Sequence, residues 1–224
     1  MTLVDKAVVA WSSGKDCAWA LHEVRRAGLL DVVGLLTTIT ETYGRVSMHG
    51  VREEVLRAQA EALGLPILAV PIPAPCPNEV YEAVMGRAVA QLRAEGVRQI
   101  VFGDLFLEDV RAYREARLAG SGVRPSFPLW GRPTRALAEE MIAGGLEARI
   151  VTLDPRILPR SFAGQTLSRA LLDQLPEGVD PCGERGEFHT CVTAGPMFAH
   201  PLAVRAGEVV ERDGFVFADL QLAP

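Results

Sequence analysis

The chain has 224 residues, of which 49% are hydrophobic and 23% charged, with a net charge of −5 at neutral pH. That length and hydrophobic content suffice for one large core or two small ones and exclude a disordered chain or one that depends on disulfide or metal staples. The acidic balance argues against a broad nucleic-acid footprint.

The longest uncharged stretch, residues 62–78, contains Pro66, Pro71, Pro73, Pro75 and Pro77, which exclude a membrane-spanning helix. The N-terminus reads as lacking a secretory leader. Cys17, Cys76, Cys182 and Cys191 form no CxxC pair, which points to reduced thiols and a cytoplasmic location. There are only two lysines, Lys6 and Lys15, and the second stands out in its loop.

Residues 7–11 (AVVAW) read as a buried strand and 17–27 as a helix with Ala18, Leu21 and Val24 on one face. A strand at 32–36, a helix at 50–63 and a strand at 67–70 follow. In 78–95, Val80, Val84, Ala88 and Leu92 recur at helical spacing behind Asn78 as N-cap. A strand at 99–102 and a helix at 108–119 come next. Strands alternating with helices imply right-handed crossovers and a parallel sheet. Such sheets bind ligands beyond the carboxyl ends of their strands, which selects residues 12–17, 37–39 and 103–104. The polar loop 41–47 is long for a β–α connection and is a candidate lid.

The pattern changes after Leu129-Trp130. A helix at 133–143, a strand at 148–153 and a short helix at 166–175 precede strands at 187–193, 202–206, 209–210 and 215–220, with Ala206-Gly207 as a hairpin turn. The expected fold class is therefore α/β, with a parallel-sheet domain over residues 1–125 and a smaller α+β domain over 126–224.

Ser12-Ser13-Gly14-Lys15-Asp16-Cys17 leaves a buried strand and opens a helix. Small residues there allow a tight turn that aims several N–H groups from the positive end of the helix, a ready anion site. Ser12 and Ser13 add hydroxyls and Lys15 a point charge, while Asp16 could accept from the loop backbone or help to hold Mg²⁺. Neither a Walker motif nor a GxGxxG turn is present. Glu184 and Glu187 flank Gly186 at a turn entering a strand, where paired carboxylates could orient or deprotonate an amine. His49 and His189 read as ordinary structural histidines.

The loop resembles the SGGKDS phosphate loop of the N-type ATP pyrophosphatases, with Ser13 in place of a glycine and Cys17 in place of the last serine. Gly103-Asp104-Leu105, Arg111, Arg114 and Glu115, then Pro128-Leu129-Trp130, resemble a signature of the diphthine–ammonia ligase-like family. Gly183-Glu184-Arg185-Gly186-Glu187-Phe188-His189-Thr190 is similar to that family's E-G-G-E-[YF]-x-T motif. Together the three motifs span most of the chain, and the sequence looks closest to the bacterial branch.

The resemblance implies an adenine nucleotide α hydrolase fold and cleavage of ATP, with Mg²⁺, between its α and β phosphates. A carboxylate would be activated as an acyl-adenylate and then amidated by ammonia. The bacterial branch lacks the diphthine acceptor, so the acceptor is left open between a protein side chain and a small metabolite. Ser12, Ser13, Gly14, Lys15, Asp16 and Cys17 would bind ATP, with Thr37, Ile39, Gly103 and Asp104 beyond neighbouring strands. Lys15, Asp16, Asp104, Glu184 and Glu187 would be catalytic, and Arg111, Arg114, Glu184, Gly186, Glu187 and Thr190 would contact substrate. A homodimer is compatible with the sequence. Two other readings are a non-catalytic ATP- or AMP-sensing module and a tRNA-thiolating enzyme; the second fits poorly with an acidic chain that has no CxxC.

Overall fold

The computed structural model describes residues 4–223. Strand β1 (Asp5–Ala10) is central. It pairs in parallel with β2 (Leu30–Thr40) on one edge and with β5 (Val97–Val101) on the other, after β3 (Arg45–Val46) and β4 (Ile67–Ile72) have been added to β2. A short strand β6 (Arg124–Ser126) extends the sheet in parallel beyond β5. Ile39 is in register with both Val46 and Pro71, so β3 and β4 lie on opposite edges of β2. β3 therefore continues the β1 edge, above the point where β1 ends.

Helices α1 (Lys15–Ala27) and α2 (Glu53–Leu63) cover one face of this sheet, and α3 (Asn78–Ala94) and α4 (Glu108–Leu118) cover the other. Along β1 the side chains divide accordingly. Ala7 and Val9 face α1, while Val8 faces the cluster of Ala88, Leu92 and Leu118. Burial on both faces explains why β1 reads as an unbroken apolar run.

After helix α5 (Thr134–Ala143), strand β7 (Glu147–Leu153) and helix α6 (Arg169–Gln174), strands β8 (Phe188–Ala194), β9 (Val204–Arg212) and β10 (Phe215–Leu222) complete a second, wholly antiparallel sheet of order β8-β7-β10-β9. One apolar cluster joins Trp11, Leu21 and Leu56 to Ile150, Phe188 and Val216. Helices α1 and α2 are thus held between the two sheets.

Two expectations are corrected. Ala206-Gly207 is not a turn: residues 204–212 form one strand, and the chain reverses at Asp213-Gly214, both at positive φ. The loop 41–47 is not a free lid. It closes a hairpin onto β2, and Arg45, with Arg52, grips Asp219 of β10 at 2.7–3.0 Å. All four cysteines are free, and no helix among the described residues is long and apolar enough to cross a membrane.

Candidate active site

β1 ends at Ala10, and the chain turns through Ser12 and Ser13 before α1 begins at Lys15. Gly14 is the N-cap and supplies no side chain, so the first amides of the helix must find partners elsewhere. The Lys15 N–H donates to Thr190 Oγ1 of β8 at 3.1 Å. The Asp16 and Cys17 N–H groups make no hydrogen bond among the described residues. Ser13 holds the turn at φ +70°, with its carbonyl accepting from Val192 N (2.9 Å) and from Gln59 Nε2 (3.2 Å). Gln59 is fully buried. Its amide also donates to Val192 O at 2.7 Å, and its carbonyl accepts from Trp11 Nε1 at 2.9 Å. The loop is therefore clamped between α2 and the second sheet.

Lys15 is 1% exposed. Its Nζ donates to Asp16 Oδ2 at 2.8 Å and to the carbonyl of Cys182. Burial works against the charge, but the neighbouring Asp16 carboxylate outweighs it and holds the ammonium protonated above its ordinary range. Two buried oxygens facing the same space, Asp16 Oδ1 and Thr37 Oγ1, have no partner; nor does Ser13 Oγ. Burial pushes the Cys17 thiol up to about 11, and it accepts from Ser12 Oγ at 3.5 Å and donates to Gly14 O at 3.1 Å.

Gly103 follows β5 and lies against this helix end. A Cβ there would stand 2.7 Å from Asp16 C and from Cys17 N, so the two loops can meet only if residue 103 has no side chain. Next to it, Asp104 receives Arg114 through Nε (2.5 Å) and Nη2 (3.0 Å), and the guanidinium lies 4.3 Å over the Phe102 ring. Gly183, at φ +67°, lets the 180–187 segment turn in from the second sheet. Glu184 Oε1 then accepts from Leu105 N at 2.7 Å. Burial pushes the Glu184 carboxyl up to about 7; the Leu105 amide opposes this, while Asp16 and Asp104 add to it.

These elements enclose one cavity of about 1110 Å³. Of the residues singled out in the sequence, Ser12, Lys15, Asp16, Cys17, Thr37, Gly103, Asp104, Arg114, Glu184 and Thr190 line it. Six others do not. Ser13 and Gly14 shape the loop from behind, and Ile39 packs in the core. Arg111 pairs with Glu115 at 2.8 Å and stacks over Trp130 at 4.7 Å. Gly186 lies in the turn outside the cavity. Glu187 is buried, with its two oxygens accepting from Asp180 N (3.0 Å) and Arg185 N (2.9 Å). It ties the turn together rather than facing the cavity.

Sequence reasoning missed Asp180, whose carboxylate accepts from Cys182 N (3.1 Å) and Glu184 N (3.0 Å). It also set aside His49 and His189, which both line the cavity. No cluster of three or more His, Cys, Asp or Glu side chains suited to a metal ion occurs among the described residues.

Comparison with known proteins adds two findings. Residues 5–125 match the family model of the diphthamide synthase N-terminal domain, and residues 133–219 that of the C-terminal domain. Curated relatives include a diphthine--ammonia ligase of Danio rerio, 34% identical over 101 residues (43% of this chain, 40% of the relative), and one of Homo sapiens, 29% identical over 174 residues (71% and 65%). The alignments thus span at most 65% of the length of these relatives.

Proposed function

Because the chain belongs to the diphthamide synthase family, we propose that it is an ATP-dependent, AMP-forming carbon–nitrogen ligase that activates a carboxylate and joins it to ammonia. The observation that carries this reading is the convergence in one cavity of a helix N-terminus with free amides, the buried Lys15 and the unpartnered oxygens of Asp16 and Thr37. That set suits a polyanion with its counter-ion, and Thr37 Oγ1 suits the nucleoside. Phosphoryl chemistry is mainly positioning and charge neutralisation, which these groups supply.

Asp16 Oδ1, a buried acceptor without a donor, fits Mg²⁺. A single protein carboxylate is usual where phosphates and water complete the shell. Bound there, the ion would neutralise phosphate charge. In this reading the helix amides and Lys15 hold the β and γ phosphates, and an acceptor carboxylate forms a bond to the α phosphorus. The electron pair of the broken bond stays with pyrophosphate, leaving an acyl-adenylate that ammonia converts to amide and AMP.

Glu184, with a carboxyl near 7, takes the proton that ammonium must lose before it attacks. Arg114, kept in place by Asp104, orients the acceptor carboxylate, while Glu187, Gly186 and Arg111 act at a distance by fixing the segments that carry Glu184 and Arg114. Residues 1–125 form the nucleotide half and 126–224 the acceptor half, with residues 1–3 and 224 outside those described. The reading places the protein in the cytoplasm.

The test is a calorimetric titration of Mg-ATP into wild type and Lys15→Ala, followed by product analysis with candidate carboxylates and ammonia. Binding weakened at least tenfold in the variant, about 1.4 kcal/mol, is expected. The expected products are AMP and pyrophosphate. Formation of ADP and phosphate would overturn α–β cleavage, and tight binding with no turnover on any carboxylate would favour a sensing module.

A further inference from the structure

Two imidazoles in the cavity have no part in the scheme above. His49 lies between β3 and α2, and His189 is the second residue of β8. Their ring centroids are 4.4 Å apart, with planes inclined at 30°. The position of His49 is fixed from several sides. Its carbonyl accepts from Thr152 Oγ1 at 2.8 Å, and the next carbonyl, of Gly50, accepts from Arg45 at 2.7 Å. Its ring lies against the phosphate loop: a Cβ on Gly14 would come 3.0 Å from His49 Cε1.

His49 Nδ1 is 3.3 Å from the Thr190 carbonyl oxygen, which can only accept. Nδ1 therefore carries the ring proton, and Nε2 keeps its lone pair. Thr190 is the same residue whose hydroxyl takes the Lys15 amide, so the pair and the loop share a support. Burial, His189 and Lys15 together hold His49 well below the usual range. Burial and Lys15 bring His189 down to about 4. The charged group facing the pair from α1 is Lys15, and from β8 and the segment before α2 the two rings face each other.

We propose that His49 and His189 take up one proton between them when a nucleoside triphosphate enters the loop, and that the resulting imidazolium stabilises the departing pyrophosphate. This role rests on the nucleotide reading above. Before binding, burial above all, with the nearby Lys15 ammonium, keeps both rings neutral. A triphosphate brings several negative charges to the loop against which His49 packs, and an opposite charge within about 4–6 Å favours the charged form. At 4.4 Å the rings repel when both are charged, so the pair accepts one proton and not two.

The proton comes from solvent. As the acceptor oxygen bonds to the α phosphorus, the bond to the bridging oxygen breaks and its electron pair stays on pyrophosphate. The imidazolium N–H then faces the new negative charge, and its proton leaves with pyrophosphate or returns to solvent. The donor meets part of this charge in the bound triphosphate, and it lowers the barrier by as much as its interaction strengthens when the further charge develops on pyrophosphate.

The chain has four histidines, His22, His49, His189 and His200, so the imidazole resonances of the ¹⁵N-labelled full chain can be assigned by substitution. They are titrated with and without saturating Mg²⁺ and α,β-methylene ATP, whose α–β link cannot be cleaved. The midpoint of one ring of the pair is expected to rise to near neutral pH, with His22 and His200 unmoved. His49→Asn keeps a donor to the Thr190 carbonyl but cannot ionise. It should slow pyrophosphate release about tenfold or more while changing analogue affinity less than threefold. His189→Gln gives an independent second variant. Analogue binding that leaves both rings neutral at pH 7 would overturn the proton uptake and spare the nucleotide reading. Failure of the analogue to bind wild type would overturn both.

Discussion

Ser13 occupies a backbone conformation that favours glycine, at φ +70°, and its buried hydroxyl has no partner. Replacing it with glycine should therefore stabilise the protein. The left-handed conformation costs a residue with a Cβ roughly 1–2 kcal/mol. A buried unsatisfied hydroxyl costs about 1–3 kcal/mol more. Against these stands the extra freedom of glycine in the unfolded chain, about 0.5–1 kcal/mol. The balance is a gain of roughly 1–4.5 kcal/mol, which for a chain of this size raises Tm by about 2–4 °C per kcal/mol.

The proposed nucleotide site should not suffer. Ser13 does not line the cavity, and what it contributes to the loop is a carbonyl that Val192 and Gln59 hold, which glycine retains. Thermal and urea unfolding of Ser13→Gly beside wild type, with Mg-ATP calorimetry on both, tests each half. A Tm equal to or below wild type would refute the strain argument. A stabilised variant that had lost tenfold in ATP affinity would show that the hydroxyl turns toward the phosphates.

Gly103→Ala should act in the opposite sense. The added methyl would meet Asp16 and Cys17 backbone atoms at 2.7 Å, and the resulting shift should cost about 1–3 kcal/mol and at least tenfold in Mg-ATP affinity. Wild-type affinity by calorimetry would mean that the β5 loop does not abut the helix end. Glu184 is a carboxyl whose folded-state value, about 7, lies above the ordinary 4.5, so the native state binds the extra proton between those values and stability falls as pH rises through them. Removing the ionisation with Glu184→Gln should therefore stabilise the protein by about 2 kcal/mol at pH 8, allowing for partial exposure, and leave it nearly unchanged at pH 4. Unfolding curves at the two pH values check this, and equal differences at both would refute the raised value.

The proposed phosphate loop was legible because its signal is local. A buried strand followed by Ser-Ser-Gly-Lys can do little but turn and start a helix, and the parallel-sheet rule then selects Thr37, Gly103 and Asp104 at neighbouring strand ends. The hairpin at Ala206-Gly207 failed for a physical reason. β9 is exposed along most of its length, so no apolar alternation marks it, and Ala206-Gly207 reads as the turn although Asp213-Gly214 is the stronger signal.

Glu184 and Glu187 look equivalent in sequence. Positive φ at Gly183 and Gly186 turns the chain so that Glu184 enters the cavity and Glu187 folds back onto the amides of Asp180 and Arg185. Conformational freedom, invisible in a list of carboxylates, separates the two.

What no local pattern could supply is the contribution of the second sheet to the first. Thr190 takes the Lys15 amide, Val192 holds the Ser13 carbonyl, and Cys182 receives the Lys15 ammonium, each across more than 160 residues of chain. The loop at the end of β1 thus has its geometry set by β8. A perturbation of β8 that leaves the parallel sheet intact should loosen the helix N-terminus before it unfolds anything, because the groups that satisfy that end are not its own. The same arrangement explains why His49 and His189, 140 positions apart and each unremarkable alone, meet beside Gly14. The antiparallel sheet completes the candidate site in the parallel one, and a change in either should be read at the loop of residues 12–17.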